Sequence, residues 1–266
     1  MFGDQISLVA IPLLAVVSLD ATAAQMGLVT AAGGVPLLAF GLITGVWVDR
    51  IRRRPLLVVS DVARAIALGL VPLAWAAGFL SVPLLVGVVF ACASFAVVFH
   101  ISAAAFLPVL LPYNKLIDAN ARLTQTRAVA QIAGPGLGGA LVQAITAPVA
   151  ILLDAASFLS SALLVGRITQ NEPRSGADPH RARTVRAIAD GMSFVWQNPL
   201  LRASAASAGT YTFFSTAILA LQVLYLSRNL ELSPAEIGIL LGAAGPGGLI
   251  GAALAVRAST RWGLGR

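Results

Sequence analysis

Three isolated ionisable side chains, Asp4, His100 and Asp154, interrupt long apolar stretches of this sequence. Each can take up and release a proton or bind a polar group of a ligand, and an ionisable side chain among apolar residues is a functional candidate. Histidine suits proton exchange because its ordinary pKa lies near neutral pH. The alternative for all three is a buried, hydrogen-bonded structural role. A further carboxylate, Asp61, lies three residues before Arg64, and this spacing favours a structural ion pair on one helix.

A short basic segment, 45–55, separates two of the apolar stretches, 26–48 and 56–80. It contains Asp49 and four arginines, Arg50, Arg52, Arg53 and Arg54. Charges at this density cannot lie in hydrocarbon, so the segment marks a membrane surface, and its excess of arginine predicts the cytoplasmic one. Orientation alone does not require Asp49. A carboxylate at a helix end can face the positive N-terminus of a neighbouring helix, which contributes about 0.3–1 kcal/mol.

The composition excludes a soluble domain. Hydrophobic residues make up 58% of the 266 residues, charged residues 11%, and the mean hydropathy is +0.87. A soluble domain carries about 25% charged residues, so this chain is expected to be an integral membrane protein. The net charge of +7 does not indicate nucleic-acid binding, because the basic residues cluster between apolar stretches. Cys92 has no partner within the chain for a disulfide.

No enzyme signature occurs in the sequence. It contains no phosphate-binding loop, no cluster with the spacing of metal ligands and no Ser–His–Asp arrangement. We therefore expect a protein that is not an enzyme and that uses neither a metal ion nor a cofactor. No partner other than a small molecule, protons and the lipid bilayer is implied, and we expect a monomer.

The hydropathy pattern predicts eight membrane-spanning helices. They lie at about residues 1–19, 25–48, 56–79, 82–106, 126–146, 148–167, 204–227 and 235–256. Pro108 and Pro112 are expected to end the fourth span because proline cannot continue a helical ladder, and the polar stretch 113–125 is expected to be a cytoplasmic connection. The first span is short and no cleavable signal is visible, so we expect the chain to begin inside its first helix.

The stretch 168–203 differs in composition and is expected to be a cytoplasmic linker. Its residues 171–179 are rich in charged residues, proline and glycine, which is typical of a linker. Apolar and charged residues then mix over 185–198, which predicts an amphipathic helix at the cytoplasmic interface with Trp196 at the level of the headgroups. Packing of this helix on other protein is an equally open alternative.

The basic residues predict the orientation. If the eight spans alternate in direction, 17 of the 18 lysines and arginines lie on the side of segment 45–55, and only Arg228 lies on the other side. One missed span would destroy this asymmetry. The positive-inside rule therefore predicts a multi-pass protein of the plasma membrane with loop 49–55 and linker 168–203 in the cytoplasm.

A weak internal repeat relates two parts of the chain at a shift of 211 residues. Residues 24–28 (AQMGL) align with 235–239 (AEIGI), and Arg50 aligns with Arg261. Spans one and two therefore resemble spans seven and eight in the same orientation. Parallel repeats of six-helix halves build one large class of secondary transporters. By this comparison a complete second half has six spans, of which two are present here.

Three motifs resemble the major facilitator superfamily. The segment Gly45-x-x-x-Asp49-Arg50-x-x-Arg53-Arg54 resembles the signature of the superfamily's loop between spans two and three. The run Gly134-Pro135-Gly136-Leu137-Gly138-Gly139 is similar to the end of the span-five motif of its proton-coupled exporters. Residues 191–202 (GMSFVWQNPLLR) are similar to the linker end in macrolide and siderophore efflux proteins.

The resemblance implies an all-α membrane protein of the major facilitator type. The N-terminal six-helix half would be complete at 1–167, and 204–266 would hold the first two helices of the C-terminal half after the linker 168–203. Two sets of residues take roles by resemblance. The gate set is Gly45, Asp49, Arg50, Arg53 and Arg54, with Asp49 facing span eleven, and the interface set is Gly134, Pro135, Gly138 and Gly139, which would pack on span eight. The alternatives are that the arginines only fix the topology and that the glycines only allow ordinary packing.

The function implied by the resemblance is proton-coupled efflux of an amphipathic small molecule, such as an antibiotic or a siderophore, by alternating access. Asp4, Asp154 and His100 are the candidates for binding protons or substrate. Two alternatives stay open. The same fold could carry out nutrient uptake or uniport, or the chain could be a truncated fragment that transports nothing.

Overall fold

The computed structural model describes residues 2–48, 51–168, 193–243 and 245–247, and every regular element in these ranges is helical. Asp49 and Arg50 lie outside the described residues. So do residues 185–192 of the predicted amphipathic helix and 248–256 of the predicted eighth span. The remainder of that amphipathic helix, 193–197, is helical, and its Trp196 is 71% exposed.

Eight helices of nine residues or more follow one another along the described chain. They are α1 (Phe2–Leu13), α2 (Ala23–Val48), α3 (Arg53–Ala76), α4 (Val82–Leu110), α5 (Tyr113–Ile145), α6 (Ala147–Gly166), α7 (Pro199–Arg228) and α8 (Pro234–Gly242). A π-helical turn, Leu14–Ser18, continues α1. Six of the helices, α2 to α7, are long and apolar enough to cross a membrane. We call the end of the bundle where α2 meets α3 the hairpin end and the other the opposite end.

Two expectations around α4 and α5 are wrong. Pro108 does not end α4 but lies inside it, which a membrane helix tolerates when neighbouring groups satisfy the unpaired carbonyl. The polar stretch 113–125 is not a connection but the first turns of α5. A helix satisfies its own backbone in water as well as in lipid, and here the Arg122 Nε–Asp118 Oδ2 pair, 3.1 Å apart with a spacing of four residues, supports it.

The core of the bundle is built around α1. Val9, Ala10 and Leu14 are fully buried, and α1 packs against α5 and α6 and also contacts α7. The other helices of the first six pack as pairs, α3 against α4 and α6, and α2 against α4. The seventh helix packs against α2 as well. Helix α1 therefore touches both predicted halves of the protein.

Large apolar side chains cover the outside of the bundle. Leu38 is 85% exposed, and Ile43 and Ile218 are each 68% exposed. Burial of such side chains inside the bundle would be favourable in water, so their exposure indicates that hydrocarbon surrounds these helices. The outer faces are the lipid-facing surface of a multi-pass protein.

The glycines of α5 allow helices to approach on two sides. A Cβ atom at Gly134 would overlap Gln5, and one at Gly138 would lie 3.1 Å from the Ile6 Cα, both on α1. A Cβ atom at Gly139 would instead lie 2.9 Å from the Gly238 Cα on α8. Small residues let membrane helices pack closely, so this one run holds α5 against α1 and α8 together.

Helix α8 contributes small residues to the same contact. A Cβ atom at Gly238 would lie 3.0 Å from the Gly139 Cα, and one at Gly242 would lie 2.8 Å from the Ile132 carbonyl oxygen. We call this contact, defined by Ile132, Gly139, Gly238 and Gly242, the α5–α8 seam. It joins the predicted N-terminal half to the first helices of the predicted C-terminal half.

We expect Gly139→Ala to destabilise the protein, because its Cβ atom would press into the backbone of α8 and overpacking typically costs about 1–3 kcal/mol. The measurement is the thermal unfolding midpoint of the purified protein in detergent. The matched control is Gly136→Ala on the same helix, where a Cβ atom meets nothing within 4 Å and the alanine improves helix propensity. Equal midpoints for the two variants would contradict the close packing at the seam.

Candidate functional site

A cavity of about 750 Å³ lies between α1, α2, α4, α5, α7 and α8. Its walls are mostly apolar, and its polar groups are the side chains of Gln5, Ser7, Thr30 and Gln131. No charged side chain is among its described lining residues. The volume is in the range of pockets that bind small organic molecules, about 300–1,000 Å³. The cavity therefore suits a bulky, largely apolar ligand that makes a few hydrogen bonds.

A partly buried ion pair joins α1 to α3 near this cavity. The Arg64 guanidinium donates a hydrogen bond to the Asp4 carboxylate, and the Arg64 side chain is 9% exposed while that of Asp4 is 32% exposed. Its Cζ also lies 3.9 Å from the centroid of the Phe158 ring on α6, a cation–π contact. Arg64 lies roughly 16 Å along the axis of α3 from Arg53, the first residue of that helix. This distance is about half the thickness of a hydrocarbon core. The pair is an intramembrane charge centre.

Asp154 lies beside this pair and is fully buried. Its carboxylate accepts hydrogen bonds from the Ser7 hydroxyl on α1 and, at 3.2 Å, from the Ser157 hydroxyl on α6. Gly3 is packed on it so closely that any Cβ atom there would overlap Asp154 Oδ1. The fold thus brings together two predicted candidates, Asp4 and Asp154, on adjoining helices.

The interpretation of Asp61 and Arg64 as an ion pair is wrong. The long Arg64 side chain reaches across to α1 and pairs with Asp4, whereas Asp61 lies on the side of α3 that faces Ser161 of α6. Asp61 is 1% exposed, and its Oδ2 atom has no hydrogen-bond partner among the described residues. The region therefore holds three carboxyl groups around one guanidinium.

His100, the third predicted candidate, lies apart from the cavity. It is exposed, packs edge-on against Phe99 with ring centroids 5.9 Å apart, and is not among the residues that line the cavity. Its position at the inner part of α4 does not bring it into contact with Asp4 or Asp154 in the described structure.

The described residues of the gate set lie at the hairpin end. Gly45 lies in the last turn of α2, and Arg53 and Arg54 begin α3. The Arg54 guanidinium donates a hydrogen bond to the carbonyl oxygen of Gly166, the last residue of α6. A cation at a helix C-terminus is favourable because it faces the negative end of the helix dipole. Arg54 therefore ties the start of α3 to the end of α6.

Two contacts cross between the predicted halves at the opposite end. The Arg228 guanidinium at the end of α7 donates to the Asp20 carboxylate in the α1–α2 connection. The backbone N–H of Ala235 in α8 donates to the Gln143 side-chain oxygen on α5, at 3.1 Å. These contacts lie beyond the α5–α8 seam and join the predicted halves at that end.

The polar groups of the cavity were not among the residues predicted from the sequence. Gln5 and Gln131 are single amides among apolar residues, the same kind of signal as Asp4 and Asp154, but they are not ionisable. Ser7 gives a weaker signal, because serine is common in membrane helices and its partner is distant in sequence. Within the part of the chain that the structure describes, no group of three or more His, Cys, Asp or Glu side chains could hold a metal ion.

Comparison with known proteins agrees with this architecture. The sequence pattern of the family described as "Transmembrane secretion effector" matches residues 1–264. The multidrug efflux pump Tap of Mycolicibacterium fortuitum is 28% identical over 264 residues, a match that covers 94% of this chain and 62% of Tap. The uncharacterized MFS-type transporter YfiS of Bacillus subtilis is 24% identical over 265 residues, covering 96% of this chain and 60% of YfiS.

A solved structure has the same fold. It is the crystal structure of a bacterial homologue of the human lysosomal transporter Spinster, with a TM-score of 0.76 and 18% sequence identity. The match covers 98% of this chain and 61% of the other. The chain thus spans about three fifths of the length of each of these proteins.

The helices, their apolar surface and the central cavity define a multi-pass α-helical membrane protein, and the fold is that of transporters rather than enzymes. The chain belongs to the transmembrane secretion effector family of the major facilitator superfamily. The predicted fold class, a partial major facilitator-type fold, is confirmed, and so is the prediction of a multi-pass protein of the plasma membrane. The roles of the predicted site residues stay predictions.

We expect Arg64→Met to lower the free energy of unfolding by about 1–3 kcal/mol, because it removes the ion-pair partner of the partly buried Asp4 carboxylate. The double variant Asp4→Asn/Arg64→Met should recover part of this loss. Thermal unfolding in detergent measures both. The control is Arg122→Met, which breaks an exposed ion pair and should change the midpoint little. A double variant no more stable than Arg64→Met would argue against the buried pair.

Proposed function

We propose that the protein containing this chain exports amphipathic small molecules across the plasma membrane in exchange for protons, by alternating access. The observation that carries the proposal is the apolar cavity of about 750 Å³ beside the partly buried Asp4–Arg64 pair. A ligand site and a charged group that a proton can neutralise lie on the same helix, α1. This arrangement provides what exchange requires, namely two sites whose occupancies influence each other.

The cargo class is supported by the chemistry of the cavity. Apolar walls with four uncharged polar side chains favour molecules whose surface is mostly apolar. The name of one relative, multidrug efflux pump Tap, describes a pump of several drugs, which agrees with a site that selects by size and apolar surface. We assign the same class of cargo, antibiotics or siderophores of amphipathic character, to this chain.

Proton coupling is assigned to the Asp4–Arg64 pair and to Asp154. A single guanidinium can neutralise one carboxylate, and uncompensated charge in the membrane interior is costly. A proton on Asp4 would remove its attraction for Arg64 and loosen α1 from α3. Because α1 also lines the cavity and contacts α7, the change would reach both the ligand and the other half.

Alternating access is assigned to movement along the α5–α8 seam. Backbones in contact through glycine have no side chains to interlock, so one helix can slide or tilt on the other at low cost. The contacts Asp20–Arg228 and Gln143–Ala235 at the opposite end would break as that end opens. At the hairpin end, the gate set would hold the other side closed through Asp49.

The test is transport by everted membrane vesicles from cells that express the protein from its complete open reading frame. A pH gradient, acidic inside, should drive accumulation of a lipophilic antibiotic, and a protonophore should abolish it. Asp4→Asn should lose gradient-driven accumulation and keep ligand binding, whereas Asp118→Asn, an exposed carboxylate at the hairpin end, should transport normally. Accumulation that ignores the gradient would favour uniport or nutrient uptake, and no flux would favour a fragment that transports nothing.

A separate prediction concerns the gate set. Asp49→Asn removes a carboxylate that is expected to face the N-terminus of a later helix, so it should lower the transport rate while leaving expression and ligand affinity unchanged. Initial rates in the same vesicles measure this effect, again with Asp118→Asn as the control. An Asp49→Asn variant with a normal rate would leave the arginines as topology signals only.

A further inference from the structure

Ser7 occupies a position that the proposed function does not use. It lines the cavity, and its hydroxyl donates a hydrogen bond to the buried carboxylate of Asp154. Asp154 itself is fully buried and is not among the cavity-lining residues. Among the described residues, Ser7 is thus the one that both lines the cavity and hydrogen-bonds to Asp154.

The chemistry of a hydroxyl makes this contact directional. A serine hydroxyl has one hydrogen to donate and two lone pairs that accept. While Ser7 donates to ionised Asp154, it can offer the cavity only a lone pair, which accepts a hydrogen bond from a ligand N–H or O–H. When Asp154 holds a proton, the carboxylic O–H can donate to Ser7, and the serine hydrogen is free to turn toward the cavity.

We propose that Ser7 reports the protonation of Asp154 to the ligand cavity, by switching from a hydrogen-bond acceptor to a hydrogen-bond donor. No covalent bond changes other than the binding of one proton to a carboxylate oxygen. Ligands that present a donor bind more tightly when Asp154 is ionised, and ligands that present only acceptors bind more tightly when it is protonated. The proposal rests on the proposed function for its use in exchange, but the switch itself is a property of binding.

The switch selects a class of cargo. Exchange requires that a proton weaken the binding of the substrate, since the two then occupy the protein in turn. Through Ser7, a proton on Asp154 has this effect only on a ligand that donates a hydrogen bond to Ser7. The structure therefore assigns to the cavity an amphipathic ligand that carries an N–H or O–H group, in preference to one whose polar atoms are ethers or esters alone.

Other titratable groups surround Asp154 and must be separated from it. They are Asp4 on α1, Arg64 on α3 and Cys92 on α4, and Asp61 lies on α3 three residues before Arg64. Helix α5 also packs on α6, but its charged residues lie in its first half, toward the hairpin end; they are Lys115, Asp118, Arg122 and Arg127. Because all of these groups remain in place in variants of Ser7 and Ser157, a comparison of those two variants isolates the Ser7 contact.

The chain offers a matched control. Ser157 also donates a hydrogen bond to Asp154, at 3.2 Å, but it lies on the outer side of α6 and does not line the cavity. Ser7→Ala and Ser157→Ala therefore each remove one donor to the same carboxylate, and only the first removes the link to the ligand. Ser7→Thr keeps the hydroxyl and should restore the behaviour of the unmodified protein.

The experiment measures binding of two fluorescent probes to the purified protein at mildly acidic and mildly alkaline pH. N-butyl dansylamide carries a sulfonamide N–H, and its N-methyl derivative lacks it. We expect the N–H probe to bind the unmodified protein and Ser157→Ala more tightly at alkaline pH, by about fivefold, the factor that one ordinary hydrogen bond contributes. In Ser7→Ala this pH dependence should be lost, and in Asp154→Asn, which cannot titrate, the N–H probe should bind equally at both pH values.

Infrared spectra provide a second readout that does not depend on affinity. The carboxylic C=O band that disappears in Asp154→Asn should lose intensity when the N–H probe binds to the unmodified protein, because binding favours ionised Asp154, and should not change in Ser7→Ala. Equal pH dependence in Ser7→Ala and Ser157→Ala, or N–H binding that does not change with pH in the unmodified protein, overturns the proposal. Such a result would overturn the Ser7 switch without affecting the gradient-driven transport measured in vesicles. If the proposed function itself is wrong, transport in the vesicles will not depend on the pH gradient.

Discussion

The ion pair between Arg64 and Asp4 is the constraint on which the rest of this bundle depends. A guanidinium near the middle of a membrane helix must have a carboxylate within reach, and its only ion-pair partner among the described residues is on α1. That requirement fixes the depth of α1 against α3, and the contact of Arg64 with Phe158 fixes α6 at the same level. With α1 placed, Ser7 meets Asp154 and Gln5 faces the cavity. The same placement of α1 therefore both pairs Arg64 with Asp4 and sets the polar residues of α1 in the cavity wall.

A second constraint is steric and lies on α5. The same glycine run must serve two neighbours, because Gly134 and Gly138 face α1 while Gly139 faces α8. A helix with larger side chains at these positions could approach only one of them closely. Helix α5 is therefore the mechanical link between the charged centre on α1 and the seam with α8. This connection explains how a change of charge near Asp4 could reach the other half without a long chain of intermediate residues.

The two glutamines and Ser7 indicate how a largely apolar cavity can still respond to protons. Among the described residues, no charged side chain lines the cavity, so an uncharged substrate does not meet a bare charge there. In the proposed exchange, coupling would pass through neutral polar groups, and Ser7 both lines the cavity and hydrogen-bonds to Asp154. A cavity whose walls carry no charged side chain also suits ligands of varied shape, because apolar contacts place few demands on the shape of a ligand.

The sequence alone determined the helical membrane architecture, the family resemblance and the isolated polar residues, because hydropathy over about 20 residues and short motifs are local properties. Asp4 and Asp154 were identified in this way. The ion pair assigned to Asp61 and Arg64 was wrong, and the helix expected to begin after residue 125 begins at Tyr113. Only the tertiary structure decided that Arg64 pairs with Asp4, that His100 lies apart from the cavity and that the α5 glycines face two helices. The reason is physical: which groups meet across a bundle depends on the depth and rotation of whole helices, and packing sets both.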